Sequence, residues 1–407
     1  MSGQQTEQPT RWAIVLMAVM AGVLMGFQIG KAPALIGGVR EELSLGLVGA
    51  GFYMSLIAGF TVLTGIAAGV LADNAGRRRI MVLAALSLIT GNVVGAVADT
   101  APVLFLSRLL EAVAFVGIVV SAPGLIVEAA RPRDLDRALT IWSTYMPVGF
   151  AIMMLLTVLV TRPEDWRLIW WLNAAIAALW LVVFLTVVRG VGARPAQTRR
   201  LDGLSDVLKR PGPWLLGACF GCYTVMWFGV LNWLPLILQG AGVGIDEAGI
   251  GVALVVGANA LGCYGAGPVL RTGAPRWLII AATALTLGLL TQLIYDESLS
   301  PAVRLVLAGL FSMVGGLIPG ACLSGTAVHS PTPKQVGITS GVIMQLTNTG
   351  SLIGPPLVAW AAASAGGDFS AARWITLAAG LTGVTAALIL RGVERRMALT
   401  ADQASPG

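Results

Sequence analysis

The sequence predicts an all-α membrane protein: twelve transmembrane helices arranged as two six-helix, pseudo-symmetric bundles. Three observations lead there. Of the 407 residues, 56% are hydrophobic and only 11% charged, with a mean hydropathy of +0.83, whereas a soluble globular chain carries about 25% charged residues. Long uncharged runs recur along the whole chain. Nineteen of the 26 lysines and arginines fall in the connections that share a side with the N-terminus, the bias that places that side in the cytoplasm. The composition excludes a soluble enzyme, a disordered chain and a nucleic-acid module. The net charge of +6 is spread along one rim and forms no nucleic-acid patch.

A charge at mid-bilayer costs about 3 kcal/mol or more, so uncharged runs delimit the spans. The first is Trp12–Gly30; the polar start, Met1 to Thr10, runs into an apolar stretch too long for a signal-peptide core, so this span is expected to stay in the mature protein. Leu43–Ala72 and Ile80–Ala98 follow, then Val103–Val127, an apolar run broken by Arg108 and Glu111. Ala138–Thr161 and Leu168–Val188 complete the first half. The second half reads Pro211–Ile245, Ala248–Leu270, Trp277–Tyr295, Leu305–Pro333, Gln335–Gly367 and Trp374–Leu390. Runs of this length without strand-like alternation read as helices, which satisfy their own backbone in lipid. The longest hydrophilic stretch, Arg189 to Lys209, separates the halves. The expected organisation is a bundle over 1–188, a cytoplasmic linker over 189–212, a bundle over 213–391 and a cytoplasmic tail over 392–407, with both termini inside. The outside loops hold Arg40, Arg162, Arg167, Arg304 and Arg373, and Trp12, Trp166, Trp214, Trp277 and Trp374 sit at span ends as interfacial anchors would,.

Shifting the chain by 202 residues lays Pro33 of span one on Pro235 of span seven, each in an apolar context. With the charge layout, this implies a pseudo-two-fold axis along the membrane normal and a cavity between the halves. Between spans two and three stands Gly69-Val-Leu-Ala-Asp73-Asn-Ala-Gly76-Arg77-Arg78-Arg79. It resembles the cytoplasmic signature of the major facilitator superfamily, G-x-L-A-D-x-x-G-R-[RK], in the expected loop on the expected side. The resemblance covers nearly the whole chain and implies the major facilitator fold. It also implies a gating latch made by Gly69, Asp73, Gly76, Arg77 and Arg78 with Glu128 at the inner end of span four; the plainer reading is a turn with topology-fixing arginines. The second-half counterpart lacks the acid and keeps only Arg271 and Arg276. Span five retains Pro147 and Gly149 of the family's antiporter pattern but not its remaining glycines. The segments Phe27–Lys31, Gly315–Gly320 and Gly341–Gln345 with Gly354-Pro-Pro look like the cyanate-permease-like branch, which implies small anionic or polar solutes.

Charges and amides inside spans mark a cavity or a pathway unless something else satisfies them. Lys31 lies one turn beyond Gln28 on one helix face. It either snorkels to the outer headgroups or faces a cavity, and the outer boundary set by Arg40, Glu41 and Glu42 favours the cavity. Arg108 and Glu111 are three apart and can meet. They form either an internal packing pair or a site where the arginine attracts an anion while Glu111 exchanges a proton. Tyr145, Tyr223, Trp227, Asn232, Asn259, Gln345 and Asn348 are further candidates for hydrogen bonding a solute, or equally for bonding across helices. Glycines at 22, 26 and 30, and at 65 and 69, read as close-packing positions. His329 reads as a loop residue, and Cys219-Phe-Gly-Cys222, in an apolar run, as small packing residues,.

The sequence holds no catalytic constellation, metal-ligand cluster, pore-lining ring pattern or nucleotide-binding loop, so neither an enzyme nor a channel is expected, and no cofactor or metal. Secondary transport by alternating access remains. The expected partners are a small-molecule solute, protons and the lipid bilayer, with no nucleic acid, and the expected state is a monomer in the inner membrane. Two directions stay open: proton-coupled uptake of a small organic anion through Lys31, Arg108 and Glu111, or proton-driven efflux of amphipathic compounds past the tryptophans of span seven.

Overall fold

Hydrocarbon offers the backbone no hydrogen-bond partner, so each spanning segment must satisfy its own amides. A computed structural model describes residues 9–160, 165–189, 204–332 and 335–403, leaving aside the side chains at 66–74, 136, 398 and 400–403. The first half comprises α1 (Trp12–Glu42), α2 (Leu47–Ala75), α3 (Arg77–Ala96), α4 (Ala101–Ala129), α5 (Pro132–Ser143), α6 (Tyr145–Val160) and α7 (Arg167–Val187). After a short α8 (Leu204–Leu208) come α9 (Pro211–Leu231), α10 (Leu234–Gly240), α11 (Ile245–Arg271), α12 (Arg276–Ile294), α13 (Pro301–Gly315), α14 (Leu317–His329), α15 (Val336–Ser364) and α16 (Arg373–Gln403). Eleven helices or helix pairs among the described residues are long and apolar enough to cross a bilayer. The remaining long helix, α15, spans 29 residues, and its apolar run is diluted by Gln345, Thr347, Asn348, Thr349 and Ser351. The protein is an all-α, multi-pass membrane protein.

Three expected single spans are each two helices. The chain breaks at Thr144 between α5 and α6, at Asn232 and Trp233 between α9 and α10, and at Gly316 between α13 and α14. Each break lies two or three residues before a proline: Pro147, Pro235 and Pro319. A proline has no N–H to donate, and its ring crowds the carbonyl one turn back. Prolines 33, 123, 268, 355 and 356 are carried inside continuous helices, so proline permits the break without dictating it.

Packing divides the chain into two units, residues 1–44 with 63–199 and residues 45–62 with 200–407. In the first, α1 packs against α4, α6 and α7, and α3 lies against α4 and α7. In the second, α9 packs against α15 and α16, α12 against α16 and α13, and α11 against α13 and α14. The first half of α2 goes with the second unit because Gly51 rests on Pro355 and Pro356 of α15, and Gly59 on Leu352. Burial singles out one helix in each unit: 78% of the apolar window of α1 and 72% of that of the α9–α10 pair are buried, against 28–56% elsewhere. Such helices are apolar round most of their circumference because most of it packs against protein,.

Glycines let these central helices approach their neighbours. A Cβ on Gly149 of α6 would lie 2.3 Å from the Val23 carbonyl oxygen and 2.8 Å from Gly26 Cα of α1. A Cβ on Gly350 of α15 would lie 2.1 Å from the Gly221 carbonyl oxygen of α9. The packing expected of Gly22, Gly26 and Gly30 is therefore present, each facing α5 or α6, whereas the side-chain environment of Gly69 lies outside the described residues.

Several expectations are corrected. Arg304 is no loop residue: it sits in the first turn of α13, 3% exposed, and its Nε donates to the Ile294 carbonyl at 2.8 Å. Trp166 is no lipid-facing anchor, since it is fully buried and its indole N–H donates to Glu42 at 2.6 Å. Helix α16 runs to Gln403, through much of the segment expected as a tail. Beyond the bilayer, Asp368 accepts the hydroxyl and backbone N–H of Ser370, each at 2.6 Å, and these bonds hold its carboxyl below the usual carboxylate range.

The two glycine contacts give an expected stability ranking. Gly149→Ala and Gly350→Ala each force backbone apart and should destabilise by about 1–3 kcal/mol. Gly341→Ala, on the same helix as Gly350 but with nothing within 4 Å, should be neutral or slightly stabilising, because alanine loses less entropy in a helix. Thermal unfolding of the purified variants in detergent checks the order.

Candidate functional site

The first unit encloses a cluster of charges that water does not reach. Three helices each contribute a pair spaced three residues apart, hence on one face: Gln28 and Lys31 from α1, Arg108 and Glu111 from α4, Trp170 and Asn173 from α7. Helix α3 adds Asn92. Lys31 Nζ lies 2.5 Å from Glu111 Oε1 and donates to Asn92 Oδ1 at 2.7 Å. It also sits 4.5 Å from the centre of the Trp170 ring. Arg108 Nη1 lies 3.0 Å from Glu111 Oε2 and donates to the Gln28 carbonyl at 2.5 Å. The Gln28 amide donates to the Leu24 carbonyl and to Asn173 Oδ1, both at 3.1 Å. Asn173 in turn donates to the Ile169 carbonyl at 2.8 Å.

Lys31, Arg108 and Glu111 are all 0% exposed. Lys31 therefore neither snorkels to headgroups nor lines an open, water-filled wall, as the sequence alone suggested it would; it is sealed among α1, α3, α4 and α7. Arg108 and Glu111 form the internal ion pair that sequence spacing allows, and Lys31 joins them from 80 residues away. Two formal positive charges thus share one carboxylate. Desolvating a charge costs several kcal/mol unless it is paired and hydrogen-bonded, so each member depends on the others. Gln28 Oε1 and Trp170 Nε1 meet no partner among the described residues.

The second unit holds a neutral polar cluster. Asn259 of α11 donates to the Tyr223 hydroxyl and to the Ser312 carbonyl, both at 2.8 Å. The Trp227 indole N–H donates to Ser312 Oγ at 3.3 Å. Tyr223, Trp227 and Asn259 thus come together, joined by Ser312, which carries no sequence signal beyond a hydroxyl in an apolar run. The other candidates do not join them. Asn232 is buried at the α9–α10 break, and its Oδ1 has no partner among the described residues. Gln345 donates to the Val62 carbonyl, and Asn348 to the Met344 carbonyl one turn back at 2.9 Å. Tyr145 stacks on Trp142 at 4.5 Å beside the α5–α6 break.

The signature loop is a tight turn between α2 and α3. Gly76 adopts φ 88°, a conformation that favours glycine. Arg77 Nη1 pairs with Glu128 Oε1 at 2.5 Å, and Arg78 Nε donates to the Val188 carbonyl at 2.7 Å, so α3, α4 and the end of α7 are tied together. The side chains of Gly69 and Asp73 lie outside the described residues. In the second unit Arg271 stands exposed at the end of α11, and Arg276 makes the corresponding tie. Its Nη1 pairs with Glu394 Oε1 of α16 at 2.7 Å, and His329 Nε2 lies 3.3 Å from the same oxygen. His329 is not a loop residue: it ends α14 and is 2% exposed. Glu394 of α16 thus supplies the acid for Arg276. Among the described residues no group of three His, Cys, Asp or Glu side chains is placed to hold a metal.

Comparison with known proteins follows the same lines. The family model of the Major Facilitator Superfamily matches residues 14–355. The 3-(3-hydroxy-phenyl)propionate transporter of Escherichia coli is 23% identical over 389 residues, covering 91% of this chain and 89% of that protein. An uncharacterized MFS-type transporter of Mycobacterium tuberculosis is 26% identical over 221 residues, 54% of this chain and 32% of that protein, so the match spans only about a third of that relative. Among solved structures, a bacterial homolog of the human lysosomal transporter Spinster superposes with a TM-score of 0.79 at 16% identity, covering 94% of this chain and 97% of that one. A D-xylose-proton symporter gives 0.68 at 16% identity, with 94% and 97% covered. With the signature turn, the spans and the helical architecture all in place, the chain belongs to the Major Facilitator Superfamily of membrane transporters.

Proposed function

We propose that this protein is a proton-coupled secondary transporter that carries a small organic anion across the inner membrane by alternating access, with both termini cytoplasmic. In this reading residues 1–188 and 213–391 act as the two moving bundles, 189–212 as their linker and 392–407 as the tail. One observation carries it: two buried cations share a single buried carboxylate. Adding a proton to Glu111 would remove the counter-charge that Lys31 and Arg108 share and leave the two cations facing each other in a low-dielectric interior, where like charges repel strongly,. A second negative group nearby would offset that cost. Proton and anion therefore favour each other's entry, which is the thermodynamic requirement for symport.

Glu111 is accordingly the coupling residue, held by Lys31 and Arg108, with Gln28 fixing Arg108 through its carbonyl. Tyr145, Tyr223, Trp227, Asn232, Asn259, Gln345 and Asn348 stand as solute-binding candidates, of which Tyr223, Trp227 and Asn259 share one cluster. Arg77 with Glu128, and Arg276 with Glu394, serve as inner-end ties that gating must break. The full-length E. coli relative, named for an aromatic carboxylate, supports an organic anion. The narrower likeness to the cyanate-permease-like branch rests on its sequence segments alone. An efflux reading draws on a puromycin resistance protein of Streptomyces alboniger, 27% identical over 230 residues, 55% of this chain and 42% of that protein.

Proteoliposomes with an imposed pH gradient, offered a panel of small carboxylates, separate these readings. Uptake should be driven by inward proton flow. Glu111→Gln should reduce that accumulation to the level of empty liposomes while preserving solute exchange; unchanged accumulation would contradict the coupling role. Uptake indifferent to Lys31→Ala and Arg108→Ala would favour efflux.

The inner tie has its own test. Arg77→Glu and Glu128→Arg should each slow transport, and the double exchange should recover most of the lost rate. A double variant as slow as the singles would reduce the pair to a topological feature.

A further inference from the structure

We infer that Trp170 is a positioning residue of the coupling site: its indole face is the third partner of the Lys31 ammonium and sets where that ammonium stands against Glu111. The inference rests on the coupling role proposed for Glu111. An ammonium has three donors and no acceptor. Two of them are taken by Glu111 Oε1 and Asn92 Oδ1, and the ring of Trp170 lies 4.5 Å from Nζ, inside the range of a cation–π contact, which strengthens where water is excluded. The Trp170 N–H meets no protein acceptor among the described residues. A buried donor left in that state is costly, and phenylalanine would fill most of the same space without it. What indole adds over phenylalanine is the stronger cation–π face.

Its pose is fixed from two sides. Gly95 of α3 leaves the necessary space, since a Cβ there would fall 2.2 Å from Trp170 Cδ1. Trp166, one turn back on α7, meets it edge-on at 5.1 Å and 79°. Trp166 is itself clamped, its N–H donating to Glu42 at 2.6 Å and the Arg167 guanidinium lying 4.2 Å from its ring. Arg167 reaches both Glu42 and the Ala98 carbonyl at 2.6 Å. A contiguous line thus runs from the half-exposed Glu42 at the end of α1, through two tryptophans, to the buried ammonium.

The groups facing Glu111 are few. Lys31 comes from α1, Arg108 from its own helix, the neutral Asn92 from α3, and Trp170 with Asn173 from α7. Helix α6, packed on α1, presents Gly149, Phe150 and Met153 and adds no ionisable side chain at this depth.

The test is an infrared pH titration of the full-length protein in lipid nanodiscs, which needs no solute. The carboxyl band that disappears in Glu111→Gln reports Glu111. Trp170→Leu, which removes the aromatic face, and Gly95→Ala, which displaces the indole, should each move the midpoint of that band by about one pH unit, a tenfold change in proton affinity. Trp170→Phe, which keeps an aromatic face, should move it by less than half as much. Glu42→Gln, remote from the cluster, gives a further arm should Trp170→Leu fail to fold. Wild-type midpoints in the folded variants among Trp170→Leu, Gly95→Ala and Glu42→Gln would overturn the inference and leave the coupling role of Glu111 intact. Absence of any titrating band lost in Glu111→Gln would instead overturn the coupling role itself.

Discussion

Glu111 is held between Lys31 and Arg108 in a space closed to water, and much of the first unit is arranged to make that tolerable. Four helices converge on it, each supplying a side chain that satisfies part of the cluster. Breaking any single contact would strand a charge in an apolar interior, a far larger penalty than the modest worth of the intact pair. This asymmetry explains why the cluster resists casual loss. The Gly26 and Gly149 approach sets α1 against α6, two residues from Gln28 and one from Phe150.

The second unit solves a similar packing problem with different chemistry. Its central helix, α9, is also buried on nearly all sides and also meets its neighbour through glycines, Gly221 and Gly350. Its polar cluster, however, is neutral and closed on itself through Asn259, Tyr223 and Ser312. The same relationship holds at the inner ends. Arg77 and Glu128 form a pair between α3 and α4, whereas Arg276 finds its acid on α16, with His329 against the same carboxylate oxygen. Both units thus use glycine contacts at a buried helix, while the fully buried ion pairs among the described residues belong to the first.

What could be read from residues alone follows a physical divide. Uncharged runs, basic loops and the Gly76-Arg77-Arg78 turn are local properties, and they sufficed for the fold and the superfamily. The i, i+3 spacing of Arg108 and Glu111 likewise made their pairing legible. The joining of Lys31 to Glu111 depends on how α1 and α4 pack, and no spacing rule connects residues that far apart. Trp170, Asn92 and Ser312 were invisible for a related reason, since an aromatic or small polar residue in a span is ordinary until its neighbour is known. His329 was misread as a loop residue because its contact with Glu394 joins helices 65 residues apart. The helix breaks at Thr144, Asn232 and Gly316 were obscured because prolines elsewhere in the chain interrupt nothing.

If one proton balances the entry of one anion at Glu111, the purified protein must take up protons when it binds solute. Titration calorimetry in buffers of differing ionisation enthalpy counts them directly, using whichever carboxylate stabilises the protein against heat. Uptake approaching one proton per solute bound, at a pH where Glu111 starts ionised, is required by linkage, and Glu111→Gln should bring the count to zero. Proton uptake of zero in the unaltered protein, across the whole range in which the solute binds, would contradict the shared-carboxylate mechanism.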